Sequence, residues 1–318
     1  MTRVSIITPC YDAGQFVTAL LDSVAAQTMP DWEHIVVDDG SPDDSPQLVA
    51  RRAESDTRLR LIRQANAGAI AARNRGFEAT QSNSDYVLFL DADDVLNPAM
   101  LETMVSYLDA HPEVAMAFCE PEWIDAEDRP IEYGSPGTRY VPARFGVRLL
   151  PPEDAATPFA ALFFWGRVSP SISVLRRSAY VKSGGFSEDQ GWYAEDLDLW
   201  LRVALRGTVH YVPQRLVKRR IHALNHGRRV NARNQETRLF TRWINAQWLT
   251  DEERRFVQKT WRQRQSRLLP RLWRDWGWEH LRKGDLTEAA VCYLRSGKRI
   301  ATYYGARLQG RLPAGPAW

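Results

Sequence analysis

Tyr86-Val87-Leu88-Phe89-Leu90-Asp91-Ala92-Asp93-Asp94 sets five mostly apolar residues directly before three carboxylates. A run this short, with Tyr, Val and Phe in it, predicts a strand buried on both faces, with the acids at its carboxyl end. Open α/β sheets bind their ligands outside that end of the strands. Three like charges within four positions repel one another unless a cation holds them. Oxygen-only ligands suit a hard divalent ion such as Mg²⁺ or Mn²⁺, which keeps positions open for substrate phosphates. The competing reading is a solvated turn before a helix, because Asn97-Pro98 follows and acids favour helix N-termini.

Outward from this stretch, strand and helix patterns alternate with short links. Val4 to Pro9 reads as a strand, followed by a helix to about Gln27. His34 to Val37 is a second buried strand, ending in Asp38-Asp39-Gly40-Ser41-Pro42, two carboxylates and a turn. A helix over Ser45–Arg52, a strand over 59–62 and an Ala- and Arg-rich helix over Ala69–Ala79 lead to the Tyr86 strand. Beyond it a helix over Pro98–Asp109 and a strand over Val114–Cys119 follow. This order predicts a mostly parallel sheet with helices on both faces. Both acid-tipped strands then present Asp38-Asp39 and Asp91 to Asp94 at one sheet edge. Residues 120 to about 157 read as a loop-rich middle. Strands are expected at Ile172–Leu175, Val209–Val212 and Leu216–Val217, and a helix opens at Glu195-Asp196 and reaches about Leu205.

The chain has 318 residues, 44% apolar and 25% charged, as in an ordinary globular protein. Cys10, Cys119 and Cys292 are too far apart for a metal or redox motif and suggest a reducing compartment. The N-terminus has no signal-peptide pattern, and no apolar run approaches a membrane span. The net charge of +3 is unevenly spread: from Asp251 onward 15 Lys and Arg meet 7 Asp and Glu, leaving 27 and 32 in the first 250 residues. A basic tail suits anionic lipid, an anionic glycan or nucleic acid, or is a solvated helical face. From about residue 228 the sequence turns helical, Arg-rich and Trp-rich, with six tryptophans between Trp243 and Trp278. Leu281 to Ala290 reads as a helix, a Gly284 stop, an Asp285 cap and a second helix, like one copy of a helical hairpin. The expected domains are 1–228 and a helical extension, 229–318.

No Gly-x-Gly-x-x-Gly follows the first strand, and no Gly-Lys-Ser or Gly-Lys-Thr loop occurs, which argues against dinucleotide and P-loop enzymes. Instead, Thr8-Pro9-Cys10-Tyr11, Val37-Asp38-Asp39-Gly40-Ser41, Asn66-Ala67-Gly68, Ala72-Arg73-Asn74-Arg75-Gly76, Leu90-Asp91-Ala92-Asp93-Asp94, Gly184-Gly185-Phe186 and Glu195-Asp196-Leu197-Asp198-Leu199-Trp200 occur in this order. With this ordered set the chain resembles glycosyltransferase family 2, over roughly residues 3 to 226. The one departure is Asp12, where the family more often has Asn.

The resemblance implies a GT-A fold, a Rossmann-like mostly parallel sheet with helices on both faces, here with a C-terminal α-helical extension. It implies inverting transfer of a sugar from a nucleotide donor, a UDP-sugar foremost, to a glycan or lipid-linked acceptor in surface polysaccharide synthesis. By the same resemblance Pro9, Tyr11 and Asp39 would bind the base, and Arg73, Asn74 and Asp91 the rest of the nucleotide. Asp93, Asp94 and His222 would hold a divalent metal, Mn²⁺ or Mg²⁺. Asp196 would be the general base, with Glu195, Trp192 and Tyr193 on the acceptor side. For Asp196 the bland alternative is a carboxylate of a helix first turn; Asp198 and Trp200 read as structural. No nucleic-acid partner is expected. The place of action would be cytoplasmic, with peripheral contact at the inner membrane face through the basic helices. The rivals are a non-catalytic nucleotide-sugar-binding scaffold or sensor, and a nucleotidyltransferase, whose basic Gly-rich N-terminal loop is absent.

Overall fold

The computed structural model describes residues 2–131, 168–188, 194–222 and 241–263, with Leu239 and single positions 278, 281, 282, 286, 290, 293 and 294. Strand β1 (Val4–Cys10) lies between β2 (Trp32–Asp38) and β4 (Tyr86–Phe89), parallel to both. The registers pair Cys10 with Asp38 and Ile7 with Phe89, so the acids after β2 and β4 leave the sheet at the same edge. All four β4 residues are at most 1% exposed. Burying each such apolar side chain contributes about 1.5–3 kcal/mol, which is why this short run is a strand sealed on both faces. The sheet has the order β3-β2-β1-β4-β7-β6-β8-β5. Here β3 is Leu59–Arg63, β5 Val95–Leu96, β6 Val114–Ile124, β7 Ser173–Arg176 and β8 Thr208–Arg220. Only the β4–β7, β6–β7 and β5–β8 pairings are antiparallel.

Helix α1 (Val17–Ala25) buries Val17, Leu20, Leu21 and Val24, a stripe at i, i+3, i+4 and i+7. Helix α2 (Ser45–Ser55) packs beside it and against β3. Helix α4 (Met100–Ala110) repeats the pattern with Leu101, Met104, Val105 and Leu108. Helix α3 (Ala69–Glu78) lies closest to the sheet, because Gly76 lets its backbone approach β1 and β2. A Cβ there would sit 2.5 Å from Ile7 Cγ2 and 3.1 Å from Val37 Cγ2. Gly68 precedes α3 at φ 91°, a conformation that only glycine adopts without strain.

Two expectations change. Val209–Val212 and Leu216–Val217 belong to the single strand β8, and β6 runs on through Pro121 to Ile124 into the segment read as loop. The ladder between them shifts register at Cys119/Glu120 and Glu120/Pro121, opposite the exposed Pro213-Gln214-Arg215. A bulge absorbs prolines, which have no N–H for a regular ladder, so Pro121 and Pro213 interrupt the pattern without ending the strands. The two-residue β5 has no pattern of its own to read. Helix α5 (Arg177–Lys182) leads to the Gly184-Gly185 turn, and helix α6 (Glu195–Arg206) is buried along most of its length. Trp200, fully buried, donates its indole N–H to the Val168 carbonyl at 2.7 Å. Asp198 accepts from Arg202 Nε at 2.9 Å, and Arg202 in turn donates to the Ser183 and Gly185 carbonyls. Both residues are structural.

The described residues up to Leu239 form one compact unit and those from Thr241 a second. In the second, helix α7 (Asp251–Gln263) starts with a capping box: Thr250 Oγ1 accepts from Glu253 N at 3.2 Å and Glu253 Oε2 from Thr250 N at 2.9 Å. Trp243 is buried there and meets Trp248 edge-on at 5.0 Å. Most of the hairpin expected at 281–290 lies outside the described residues.

Gly76→Val forces three carbons into a contact with no room for one. Overpacking of this kind costs about 1–3 kcal/mol, so urea unfolding should show a variant destabilised by that order. An unchanged midpoint would mean that α3 can move off the sheet freely.

Candidate active site

The three carboxylates after β4 each meet a different partner from elsewhere in the chain. Asp91 Oδ1 accepts from Arg73 Nη2 at 2.8 Å. Asp93 Oδ2 lies 2.9 Å from His222 Nε2. Asp94 is buried, and its Oδ1 accepts from the Arg220 backbone N–H at 3.0 Å, with Arg219 Nε 3.6 Å from its Oδ2. Arg220 also donates from Nε to the Asp93 carbonyl at 2.9 Å, and from Nη2 to Asp128 at 2.7 Å. Phe16 supports this end: its ring lies 4.6 Å from that of His222 and 4.9 Å from the Arg220 guanidinium carbon. Burial, and then the neighbouring Asp93, push the Asp94 carboxyl up to about 7.

Asp39, at the tip of β2, is 3% exposed and accepts three hydrogen bonds of 2.8 Å, from Gln64 Nε2, Ala67 N and Gly68 N. This explains Asn66-Ala67-Gly68: the loop wraps the carboxylate and hands the chain to α3. A carboxylate has about four acceptor positions, so these three bonds leave Asp39 about one. Pro9 lies in β1 beside it, and Tyr11 just beyond is 48% exposed. Asn74 uses its amide nitrogen to hold the Phe186 carbonyl at 3.0 Å, which ties the Gly-Gly-Phe turn to α3.

Arg73 joins the two halves of the site. It is 5% exposed and donates from Nη1 to Glu195 Oε1 at 3.0 Å as well as to Asp91. Burial works against its charge, and the two carboxylates more than offset that, so its pKa lies above the ordinary arginine value. Glu195 opens α6 after Ala194, which holds the left-handed φ of 69°. Such a backbone costs a non-glycine residue about 1–3 kcal/mol and gathers at functional sites. Next to Glu195, Asp196 accepts from its neighbour Leu197 N at 2.7 Å. Burial, and then Glu195, push the Asp196 carboxyl up to about 7. A carboxyl poised there is matched to proton transfer near neutral pH.

Oxygens of Asp91, Asp93 and Asp94 lie within 4.8 Å of one another, the one such acidic group among the described residues. The set suits a hard divalent ion: Asp91 and Asp93 each have a second oxygen, and the buried Asp94 Oδ2 makes no hydrogen bond. His222 adds a nitrogen beside Asp93. The repulsion inferred from the sequence is already met by protein groups, so the turn holds its shape through Arg73, His222 and Arg219. Trp192 and Tyr193 lie outside the described residues. Arg219, Arg220 and Gln64 were not singled out from the sequence, although His222 and the Asn66 to Gly68 segment lie beside them; Phe186 was, within the Gly184-Gly185-Phe186 motif.

The sequence profile of Glycosyl transferase family 2 matches residues 5–175. This chain belongs to that family. Over 121 residues the family 2 chain is 38% identical to YibD of Escherichia coli K12, an uncharacterized glycosyltransferase, covering 38% of the chain and 34% of YibD. It spans about a third of the length of such curated relatives. Staphylococcus aureus TarS, solved with UDP-GlcNAc, superposes with a TM-score of 0.63 at 17% identity, over 98% of this chain and 93% of that one. The mannosyltransferase PcManGT from Pyrobaculum calidifontis, solved with GDP-Man and Mn²⁺, gives 0.62 at 18%, over 98% and 81%. At these identities the likeness establishes the architecture, which is that of GT-A glycosyltransferases.

An acid whose pKa is raised by folding destabilises the protein as pH climbs past its unfolded value, near ~3.9, and stops doing so above its folded value. Asp196→Asn should therefore gain stability over wild type between about pH 4 and pH 7, with the gap constant above. Melting temperatures of both proteins across that range test this; a gap that does not widen would assign Asp196 an ordinary carboxyl.

Proposed function

We propose that this chain is a metal-dependent inverting glycosyltransferase that moves a sugar from a nucleotide donor, a UDP-sugar foremost, to a hydroxyl of a glycan or lipid-linked acceptor. The observation that carries this reading is the single buried guanidinium of Arg73 between Asp91 and Glu195. It brings the acid turn of β4 and the start of α6 within one side chain of each other. A displacement at an anomeric carbon needs those two functions side by side, one for the leaving diphosphate and one for the incoming hydroxyl.

In this reading Asp39 accepts a base N–H with its remaining lone pair, beside Pro9 and Tyr11. Asp93, Asp94 and His222 would hold a divalent ion, Mn²⁺ or Mg²⁺, with Asp91 beside it toward the nucleotide. Lewis-acid neutralisation of the departing nucleoside diphosphate is the chemistry that ion supplies when bound. Asp196, in its ionised form, takes the acceptor proton while the oxygen attacks the anomeric carbon from the face opposite the leaving group, which inverts the centre. Trp192 and Tyr193 stand on the acceptor side. A raised Asp196 pKa makes it a stronger base than an ordinary carboxylate at the cost of being half protonated near pH 7.

Titration calorimetry with UDP and GDP, each with Mn²⁺ and with EDTA, tests the donor half. One nucleotide should bind with the metal and lose most of its affinity with EDTA. Asp196→Asn should keep that affinity within about threefold and lose turnover by about 10²–10⁴-fold, the usual worth of a general base. Near-normal turnover would remove Asp196 from the role. Metal-dependent nucleotide binding without turnover of any donor by wild type would favour the scaffold or sensor reading.

The assignment to surface polysaccharide synthesis rests on analogy with the family. The division into a catalytic domain, 1–228, and a helical extension, 229–318, rests on the reach of the resemblance and on the change to an Arg- and Trp-rich sequence near residue 228. No helix among the described residues is long and apolar enough to cross a membrane. Trp278, Leu286 and Leu294 are 60%, 68% and 73% exposed in a basic tail, which supports peripheral contact with anionic lipid. The protein should then sediment with phosphatidylglycerol vesicles and not with phosphatidylcholine ones; equal behaviour in both would count against the contact.

A further inference from the structure

The resemblance places Arg73 at the nucleotide, yet its side chain is almost wholly buried and tied to two carboxylates. Its side chain is 6% exposed, and both terminal nitrogens are committed, Nη2 to Asp91 and Nη1 to Glu195. Its Nε is buried with no hydrogen-bond partner. The Phe186 ring lies 5.2 Å from its central carbon, and that ring meets Phe89, the last residue of β4, edge-on at 4.9 Å. The Asn74 amide fixes Phe186 from behind. Gly76 seats the helix that carries Arg73 directly on Ile7 and Val37. Turning outward would leave two half-buried carboxylates without their shared cation.

The start of α6 needs such an anchor. No side chain caps this helix, and Ala194 before it holds a left-handed backbone. Among the described residues Asp196 accepts from the N–H of the next residue, and Asp198 accepts from Arg202 within the same helix. Glu195 reaches across to Arg73 on α3.

We infer that Arg73 is a positioning residue: it couples Asp91 on the donor edge to Glu195 and so holds the first turn of α6, with Asp196, in register for the reaction. This rests on the reading of Asp196 as the base. A change at Asp91 on donor binding is then felt at Glu195 through one rigid planar group, which a lysine cannot imitate because it presents a single point charge.

The test compares Arg73→Lys, Glu195→Gln and the double variant with wild type. Two quantities are read: affinity for UDP or GDP with Mn²⁺, and the rate of nucleotide release from UDP-GlcNAc or GDP-mannose. The expected result is an affinity within threefold of wild type and a release rate at least 100-fold lower in each single variant. The double variant should be no slower than the worse single one, since both changes cut the same link. Affinity that falls in step with rate would make Arg73 a donor contact and overturn the inference, and so would rate losses that multiply in the double variant. Hydrogen exchange at the amides of Leu197 to Leu199 gives a readout independent of chemistry. It should be faster in both single variants, and unchanged exchange would overturn the coupling. If wild type releases nucleotide from no donor, the transferase reading falls while the exchange result still decides the link. Should Arg73→Lys fail to fold, Glu195→Gln alone carries the same comparisons.

Discussion

Three carboxylates within four residues can share a partly buried turn only if each is met by a donor or a positive charge. Arg73 meets Asp91, His222 meets Asp93, and Arg219 with the Arg220 backbone meets Asp94. These partners come from α3 and from the end of β8, far away in sequence. The helix and the strand are therefore held to the acid turn by charge as well as by packing. Removing one partner of a buried pair leaves an uncompensated charge, at about 3–5 kcal/mol. That is larger than most single core contacts, so the turn and its partners stand or fall together.

The same constraint shapes the backbone nearby. Gly68 sits where the chain must pass from the loop that wraps Asp39 into α3, and its positive φ allows both in one residue. Gly76 then brings α3 close enough for Arg73 to reach past the sheet edge. Ala194 pays for the abrupt start of α6 with a left-handed conformation. Gly68 and Ala194 each lie close to a residue of the candidate site, as expected where strain is tolerated for position.

Much of this was legible in advance because it is local. The β4 run, the α1 and α4 stripes and the acid tips of β2 and β4 are spacings within ten residues or so. The β6–β8 ladder was not legible, since Pro121 and Pro213 interrupt the pattern and only their mutual bulge shows that the strands continue. Asn74 and Arg73 were picked out by motif, but their contacts are with Phe186, Asp91 and Glu195, which no motif spacing reveals.

By itself the amino-acid sequence determined the alternation of strand and helix, the family, and the residue types at the tips of β2, β4 and α6, because apolar period and short ordered motifs are properties of neighbouring residues. Only the tertiary structure decided what those carboxylates do electrostatically. Glu195 lies 122 positions from Arg73 and His222 lies 129 from Asp93. Whether such a charge is paired, buried or raised toward neutral pH depends on which distant group the folded chain brings within about 3 Å, since hydrogen bonds and desolvation act only over that range.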